Sequence, residues 1–152
     1  MAYKEIPTSV QEFMDKITEL CGTEHADWAK NFNAGFANTL LTTVKRHEDG
    51  TSFLLTGDIP AMWLRDSTAQ VRPYLVIAKE DEDLASMIRG LVKKQFFYIN
   101  IDQYANAFNE EPNGAGHQDD YTVMNDWIWE RKYEIDSLAY PTQLAYLLYK
   151  NT

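Results

Sequence analysis

The sequence predicts a mainly helical protein with one short β-hairpin. Five stretches of the 152-residue chain place apolar residues at helical spacing, and turn-forming residues separate them. The tight-turn pair Asp49-Gly50 lies between two segments rich in β-branched and apolar residues, so we expect hairpin strands at 42–44 and 51–55. A content of 45% hydrophobic residues is sufficient for a buried core, and the length suggests one domain.

Two helices are predicted near the N-terminus. Ser9 and Glu12 have the spacing of a capping box, and apolar residues follow at helical intervals until Gly22. Thr23 is the expected cap of a second helix, whose apolar stripe ends at Leu40. We therefore expect a polar side chain at the N-cap of both helices.

Two further helices are expected after the hairpin. The third spans 66–78 and has Asp66 or Ser67 as its cap, with Pro73 removing a backbone hydrogen bond and bending the axis. The fourth spans 81–100, where apolar residues keep the helical period and charged residues face outward.

A long loop is predicted between the fourth and fifth helices. Residues 100–126 show no period, and the segment 109–116 is rich in turn formers. Loops longer than ~12 to 15 residues are usually functional or disordered, and the aromatic residues in this one favour function. The fifth helix is expected to begin at Asp136 or Ser137.

The charge balance and the apolar runs exclude two classes of partner. Fourteen Lys and Arg against 23 Asp and Glu give a formal net charge of −9, which would repel a phosphate backbone. No apolar run approaches the ~20 residues of a membrane helix, and residues 1–7 are too polar and short for a signal peptide. The single Cys21 cannot form an internal disulfide. We therefore expect a cytoplasmic protein that binds neither nucleic acid nor membranes.

The densest group of polar residues joins the hairpin to the third helix. Asp58, Trp63, Arg65 and Asp66 are crowded into the segment 57–67. Carboxylates beside a guanidinium can form paired hydrogen bonds to vicinal hydroxyls, and an indole offers an apolar platform for a sugar ring. The alternative is structural: Asp66 caps the helix, Arg65 pairs with an acid and Trp63 packs in the core.

A second group of candidate residues follows the long loop. In an extended chain Glu130, Glu134 and Asp136 point to the same face. Several carboxylates on one face favour a function or pairing with a cation. The alternative is a solvated charged segment in which Arg131 and Lys132 neutralise the acids.

A third group lies in the Gly-rich segment 114–121. His117 and Asp119 are candidates for binding hydroxyl groups there. A metal site is the alternative, but zinc needs three or four ligands, and the chain has one Cys and three scattered His. Neither a nucleophile elbow nor a Gly-rich phosphate loop is present. We therefore expect no metal and no cofactor.

Three blocks of the sequence together resemble glycoside hydrolase family 125. They span 56–67, 112–117 and 129–138, in the family's order and spacing. The resemblance runs from near residue 5 to the end and corresponds to roughly the N-terminal third of a family member. Ala139 replaces the Cys expected in many relatives, a small-for-small change. The resemblance implies an (α/α)6 barrel, of which this chain would form a partial toroid with about five of twelve helices and one short hairpin.

The resemblance also implies a function. Family members are metal-independent, inverting exo-α-1,6-mannosidases, and the terminal mannose would be bound by Trp63, Arg65 and Asp66. His117 and the segment 130–136 would line the same pocket. The family's general acid and general base lie in segments C-terminal to those present here, so no catalytic residue is assigned. We predict the mannose-recognition part of such an enzyme, with mannose or an α-mannoside as ligand; the alternative is a non-catalytic carbohydrate-binding or vestigial helical fragment.

The sequence of the fifth predicted helix indicates that the domain is incomplete. It is expected to end at Lys150, two residues before the chain does, without a capping residue. In a partial toroid its apolar face, formed by Leu144, Leu147 and Leu148, would lack a neighbour. We therefore expect a truncated domain that pairs with a second copy through this helix. The alternatives are that the missing C-terminal part covers the helix or that the helices pack in a rearranged way.

Overall fold

The structure, a computed structural model, describes residues 3–152, and six α-helices account for half of them. They are α1 Thr8–Cys21, α2 Ala26–Asn38, α3 Leu64–Val71, α4 Leu75–Ala78, α5 Glu82–Ile101 and α6 Asp136–Asn151. A π-helical turn, Thr39–Thr43, extends α2, and a 3₁₀ turn, Arg72–Tyr74, separates α3 from α4. None of the helices in this part of the chain is both long and apolar enough to cross a membrane.

Five short strands form two small antiparallel sheets, where the sequence predicted a single hairpin. The strands are β1 Val44–Arg46, β2 Ser52–Leu54, β3 Met62–Trp63, β4 Ala107–Phe108 and β5 Ile128–Glu130. β1 pairs with β2 in the predicted hairpin, and the second sheet has the order β3-β4-β5. Strands of two or three residues carry too little periodicity to be recognised from sequence.

Helix α5 lies at the centre of the molecule, and its predicted position is confirmed. Asp81 caps it by accepting a hydrogen bond from the Leu84 backbone N–H at 3.0 Å. The helix packs against β2, α4 and α6. A Cβ atom at Gly90 would lie 2.6 Å from the Ser52 hydroxyl and 2.9 Å from the Gly50 carbonyl oxygen. Glycine therefore allows the hairpin to lie directly on the helix.

The predicted caps of the first two helices are wrong. Ser9 lies inside α1, which begins at Thr8, and its hydroxyl donates to the Asp81 carboxylate. Thr23 lies in a turn, and α2 begins only at Ala26. Ser9 has a long-range partner in the cap of α5, so tertiary contacts override its local capping preference.

The third predicted helix is shifted and broken. α3 begins at Leu64, whose N–H donates to the Asn106 carbonyl, so Asp66 lies in the first turn and caps nothing. Pro73 ends the regular helix instead of bending it, because a 3₁₀ turn replaces the missing backbone hydrogen bond. Residues 42–43 of the predicted first strand belong to the π-helical turn.

Helix α6 buries the leucines that we expected to be uncovered. Leu144 and Leu148 are buried in the core, where α6 packs against α3, α4 and α5, and Leu147 is half-buried. The expectation that these three residues form an uncovered face is therefore wrong, because neighbouring helices of the same chain already cover Leu144 and Leu148. A different side of α6 faces solvent, with Tyr146 and Tyr149 exposed.

Candidate functional site

Arg65 is the centre of a cluster of carboxylates. Its Nη2 atom lies 3.2 Å from Asp66 Oδ2, and its Nη1 atom lies 3.0 Å from Glu134 Oε2 and 3.2 Å from Asp136 Oδ2. Arg65 and Asp66 are on the first turn of α3, while Asp136 begins α6. The contact between these two helices therefore brings together residues about 70 positions apart in the chain.

A cleft of about 370 Å³ opens beside Arg65. Trp63 and Ile59 supply apolar surface, and the remaining side chains are polar. The lining consists of Thr56, Gly57, Ile59, Trp63, Arg65, Asp66 and Gln70. An apolar wall with a few convergent polar groups is the usual composition of a small-molecule site.

The cluster around Arg65 carries an excess of negative charge. Three carboxylates surround one guanidinium, giving a formal charge of −2. Burial lowers the pKa of Arg65, but the hydrogen bond to Asp136 and the nearby carboxylates of Asp66 and Glu134 outweigh that effect and raise it. The guanidinium therefore stays protonated and holds the acids together. The side chains remain about one-third exposed, so a ligand can reach them.

The three-stranded sheet places a second acidic group near the cleft. Trp63 pairs with Ala107, and Ala107 pairs with Glu130, so all three side chains point to the same face of the sheet. At ~4.8 Å between neighbouring strands, the Trp63 and Glu130 backbones are about 10 Å apart. The buried Asn106 fixes this end of the sheet: its Nδ2 donates to Glu130 Oε1 at 2.7 Å, and its Oδ1 accepts from the Lys132 N–H.

Glu130 is held in its ionised form. Burial raises its pKa, but hydrogen bonds from Asn106 and Lys132 more than compensate and lower the pKa below its ordinary value. Lys132 Nζ lies 2.9 Å from Glu130 Oε2, and His117 Nε2 lies 3.7 Å from the same oxygen. The ionised carboxylate thus accepts hydrogen bonds and offers a partner for a charged His117.

The loop that carries His117 is built closely onto β5. The His117 N–H donates to the Trp129 carbonyl at 2.8 Å, and a β-bulge occurs at this point, where Ile128 to Glu130 face only two residues of β4. Gly116 has φ of +105°, and a Cβ atom there would lie 2.3 Å from the Trp129 carbonyl oxygen. Only glycine at this position allows the loop to lie this close to the Trp129 carbonyl.

The candidate residues fall into three sets in the structure. Trp63, Arg65 and Asp66 line the cleft with Glu134 and Asp136 beside them, and His117 joins Glu130 on the sheet. Because β5 ends at Glu130 and α6 begins at Asp136, the three acids do not converge on one partner. Asp58 and Asp119 are exposed, and neither contacts the Arg65 cluster in the described part of the chain.

Sequence reasoning missed several site residues. Gln70 lines the cleft, and its position four residues after Asp66 in a helix is a signal that could have found it. Asn106 and Asn109 hold the loops from the buried side, and no local pattern distinguishes them. Within residues 3–152, no group of three or more His, Cys, Asp or Glu side chains is arranged to hold a metal ion.

Comparison with known protein families shows to which family the chain is related. The model of the metal-independent alpha-mannosidases, GH125, matches residues 25–152. The chain belongs to glycoside hydrolase family 125. The Meiotically up-regulated gene 157 protein of Schizosaccharomyces pombe is 36% identical to this GH125 chain over 150 residues, covering 91% of this chain and 29% of the yeast protein.

A solved structure is also similar to this GH125 chain. It is a Streptococcus pneumoniae protein, described with a family of metal-independent alpha-mannosidases, in a non-productive substrate complex with alpha-1,6-mannobiose. The TM-score is 0.92 and the identity 52%, over all of this chain and 35% of the other. The GH125 chain thus spans about a third of the length of the relatives it matches.

Proposed function

We propose that this chain is the mannose-recognition part of a metal-independent, inverting exo-α-1,6-mannosidase. In this proposal it forms part of an (α/α)6 toroid, of which the remaining helices lie in the rest of the domain. The observation that supports it best is the cleft in which Trp63 and Asp66 flank a guanidinium shared by Glu134 and Asp136. The similarity to a structure solved with alpha-1,6-mannobiose supports the same ligand class.

The chemistry of the cleft suits a neutral sugar. Carboxylate oxygens accept hydrogen bonds from hydroxyls, Arg65 donates to ring or hydroxyl oxygens, and the Trp63 indole packs against the C–H face. Asp66 Oδ2 pairs with Arg65 Nη2 at 3.2 Å, and Gln70 Oε1, which is shielded from solvent, has no hydrogen-bond partner in the described chain. The role of these residues is to bind and orient the sugar.

Glu134 and Asp136 are unsuited to be the acid and base of an inverting reaction. Their closest carboxylate oxygens both lie within 3.2 Å of the same Arg65 nitrogen. Two such oxygens are closer together than the ~6.5 to 9.5 Å that leaves room for an attacking water. As the family resemblance implies, we propose that the acid and base come from the part of the domain outside this chain.

Titration with methyl α-mannoside tests the binding role. We expect Arg65→Ala to weaken binding at least tenfold, equivalent to about 1.4 kcal/mol. Arg65→Lys keeps the charge but loses the planar donor pair, so it should restore little of the affinity. Arg89→Ala is the matched control, because Arg89 forms an exposed ion pair with Glu82 on α5. Unchanged affinity in Arg65→Ala with stability reduced by ~3 kcal/mol would indicate a purely structural ion-pair cluster.

An activity assay separates this proposal from the alternative of a non-catalytic or vestigial fragment. We expect no hydrolysis of an aryl α-mannoside by the 152-residue chain alone. Joined to the remainder of the Streptococcus pneumoniae relative, the chain should gain activity, and Arg65→Ala should reduce kcat/KM in the joined protein. Turnover by the isolated chain would show that the acid and base are present in it. Inactivity of the joined, folded protein would favour the fragment alternative.

A further inference from the structure

A second cavity, of about 410 Å³, lies at the C-terminal end of α5. It shares no residue with the cleft beside Arg65, and its volume is within the range of ~300 to 1,000 Å³ that is usual for small-molecule pockets. We call it the Tyr104 cavity. Its lining consists of Ile99, Asn100, Ile101, Asp102, Gln103, Tyr104 and Arg131.

Tyr104 offers an aromatic surface to this cavity and is 49% exposed. Its ring is held by two neighbours: the Arg131 guanidinium carbon lies 5.5 Å from the ring centroid, and the Tyr133 ring centroid lies 5.7 Å away. The Tyr104 backbone N–H also donates to Asp102 Oδ1 at 2.7 Å. Because the ring is fixed in advance, a ligand that packs against it loses little binding energy in ordering the side chain.

The polar side chains of the Tyr104 cavity can form hydrogen bonds to a ligand. Arg131 donates through Nε to Asp102 and through Nη1 to Thr122, each at 2.7 Å, but a guanidinium has five N–H donors. Gln103 is exposed, and its amide supplies both donors and an acceptor. Donors and acceptors are therefore present side by side.

The last turn of α5 adds backbone acceptors to the same cavity. In a continued helix the N–H groups of residues 104 and 105 would donate to the carbonyls of residues 100 and 101. Here both N–H groups donate to Asp102 instead, one to its side chain and the other to its carbonyl oxygen. The carbonyls at 100 and 101 therefore lack their helical donors and can accept hydrogen bonds from hydroxyl groups.

The charge of the Tyr104 cavity selects against ionic ligands. Arg131 Nε lies 2.7 Å from Asp102 Oδ2, and the other lining residues are uncharged, so the formal charges sum to zero. Neither an anion nor a cation gains a net attraction from a neutral pair. An aromatic surface beside amide, guanidinium and carbonyl groups instead suits a neutral ligand with several hydroxyls.

We propose that the Tyr104 cavity is a second carbohydrate site, separate from the cleft beside Arg65, that binds one hexose residue of a mannoside. The C–H face of the sugar packs against Tyr104, and its hydroxyls bond to Arg131, Gln103 and the carbonyls at the end of α5. The choice of a hexose among neutral ligands rests on the proposed function, whereas the cavity and its contacts do not.

The two sites lie on opposite sides of the segment 130–134. Glu130 and Glu134 make their contacts on the side of the cleft, with Asn106 and Arg65 respectively. Arg131 and Tyr133 instead contact the Tyr104 ring. This alternation is that of an extended chain. Two sugars therefore bind on different faces of one segment, and their binding can be measured separately.

Titration of the isotope-labelled chain with methyl α-mannoside, followed by backbone amide resonances, tests the proposal. We expect saturable shifts at residues 102–104 and 131, and Tyr104→Ala should weaken the binding measured there about fivefold. Tyr104→Phe keeps the ring and should keep the affinity. Tyr149→Ala is the matched control, because Tyr149 is an exposed tyrosine of α6 outside the cavity. Absence of shifts at 102–104, or unchanged affinity in Tyr104→Ala, would overturn the proposal.

Arg65→Ala separates this inference from the proposed function. It should remove the shifts at residues 63–66 and leave those at 102–104 in place. In the unsubstituted chain, shifts at 102–104 alone would contradict the role of the cleft and support the second site, and shifts at 63–66 alone would do the reverse. Sodium phosphate at constant ionic strength is the probe for an anion site at Arg131. Saturable shifts at 102–104 with phosphate but not with the mannoside would overturn the assignment to a carbohydrate.

Discussion

Gly116 is the residue whose replacement should most directly disturb the candidate site. Its φ of +105° disfavours other residues, and an added methyl group would collide with the Trp129 carbonyl. We expect Gly116→Ala to lower the free energy of unfolding by ~3 kcal/mol in urea titrations. Gly57→Ala is a useful comparison, because it has positive φ but open space around it and should cost ~1 kcal/mol. Equal losses of unfolding free energy in the two variants would show that backbone strain alone, and not the collision with Trp129, destabilises the protein.

Glu130 should make part of the stability of the sheet dependent on pH. Its pKa is lowered in the folded protein, so its contribution is present above the ordinary value of 4.5 and is lost as the pH falls through the folded pKa. We expect Glu130→Gln to flatten the decline in unfolding free energy between pH 5 and pH 3 by about 1 kcal/mol or less. Glu12→Gln, at an exposed position of α1, is the control. An identical decline in both variants would contradict the prediction.

Local sequence identified the crowding around Arg65 but not its partners. Trp63, Arg65 and Asp66 are neighbours in the chain, so their proximity follows from covalent connection. Glu134 and Asp136 reach Arg65 only through the packing of α6 on α3, which no periodicity encodes. Their place in the pocket was inferred from the family resemblance.

At the scale of elements, two helical glycines provide a matched pair. A methyl group at Gly90 would meet the Ser52 hydroxyl and the Gly50 carbonyl, whereas Gly35 has open space around it. We expect Gly35→Ala to raise the unfolding free energy by ~0.5 to 1 kcal/mol through helix propensity. Gly90→Ala should instead lower it by ~1 to 3 kcal/mol by pushing the hairpin away from α5. Thermal unfolding of both variants measures the difference, and stabilisation by Gly90→Ala would contradict the proposed contact.

The elements were predictable where local forces dominate. The cap and apolar period of α5 agree, so its position followed from sequence. Ser9 and Asp66 are also residue types that favour N-cap positions. Ser9 instead donates a hydrogen bond to Asp81, which is distant in sequence, and Asp66 forms an ion pair with Arg65. The strands β3, β4 and β5 exist because the chain returns to one place, and two-residue segments carry no pattern of their own.

For the whole molecule, the net charge of −9 should oppose the compact state. Repulsion among excess carboxylates acts over several ångströms and is screened by salt, while the core is unaffected. We expect the Tm at pH 7.5 to rise by ~2 to 5 °C between 10 and 200 mM NaCl. Sucrose at equal osmolality is the control for excluded-solute effects. A fall in Tm would mean that the ion pairs contribute more than the repulsion.

Composition and hydrophobic period could predict that the molecule is helical. They could not predict which apolar face of a helix packs into the core. The sequence places Leu144 and Leu148 on one stripe without showing whether another helix already covers it. The structure shows that α3, α4 and α5 do so, leaving the stripe through Leu138 and Tyr146 open. Which of two apolar stripes faces the core depends on the relative placement of several elements.

The β3-β4-β5 sheet also has a consequence for the order of folding. Its three strands come from residues 62–63, 107–108 and 128–130, so closing it requires loops of about 44 and 20 residues for very few hydrogen bonds. The helices and the hairpin depend on nearer neighbours and can form earlier. We therefore expect the cleft beside Arg65 to become complete only late in folding, after the nascent chain has acquired its helices.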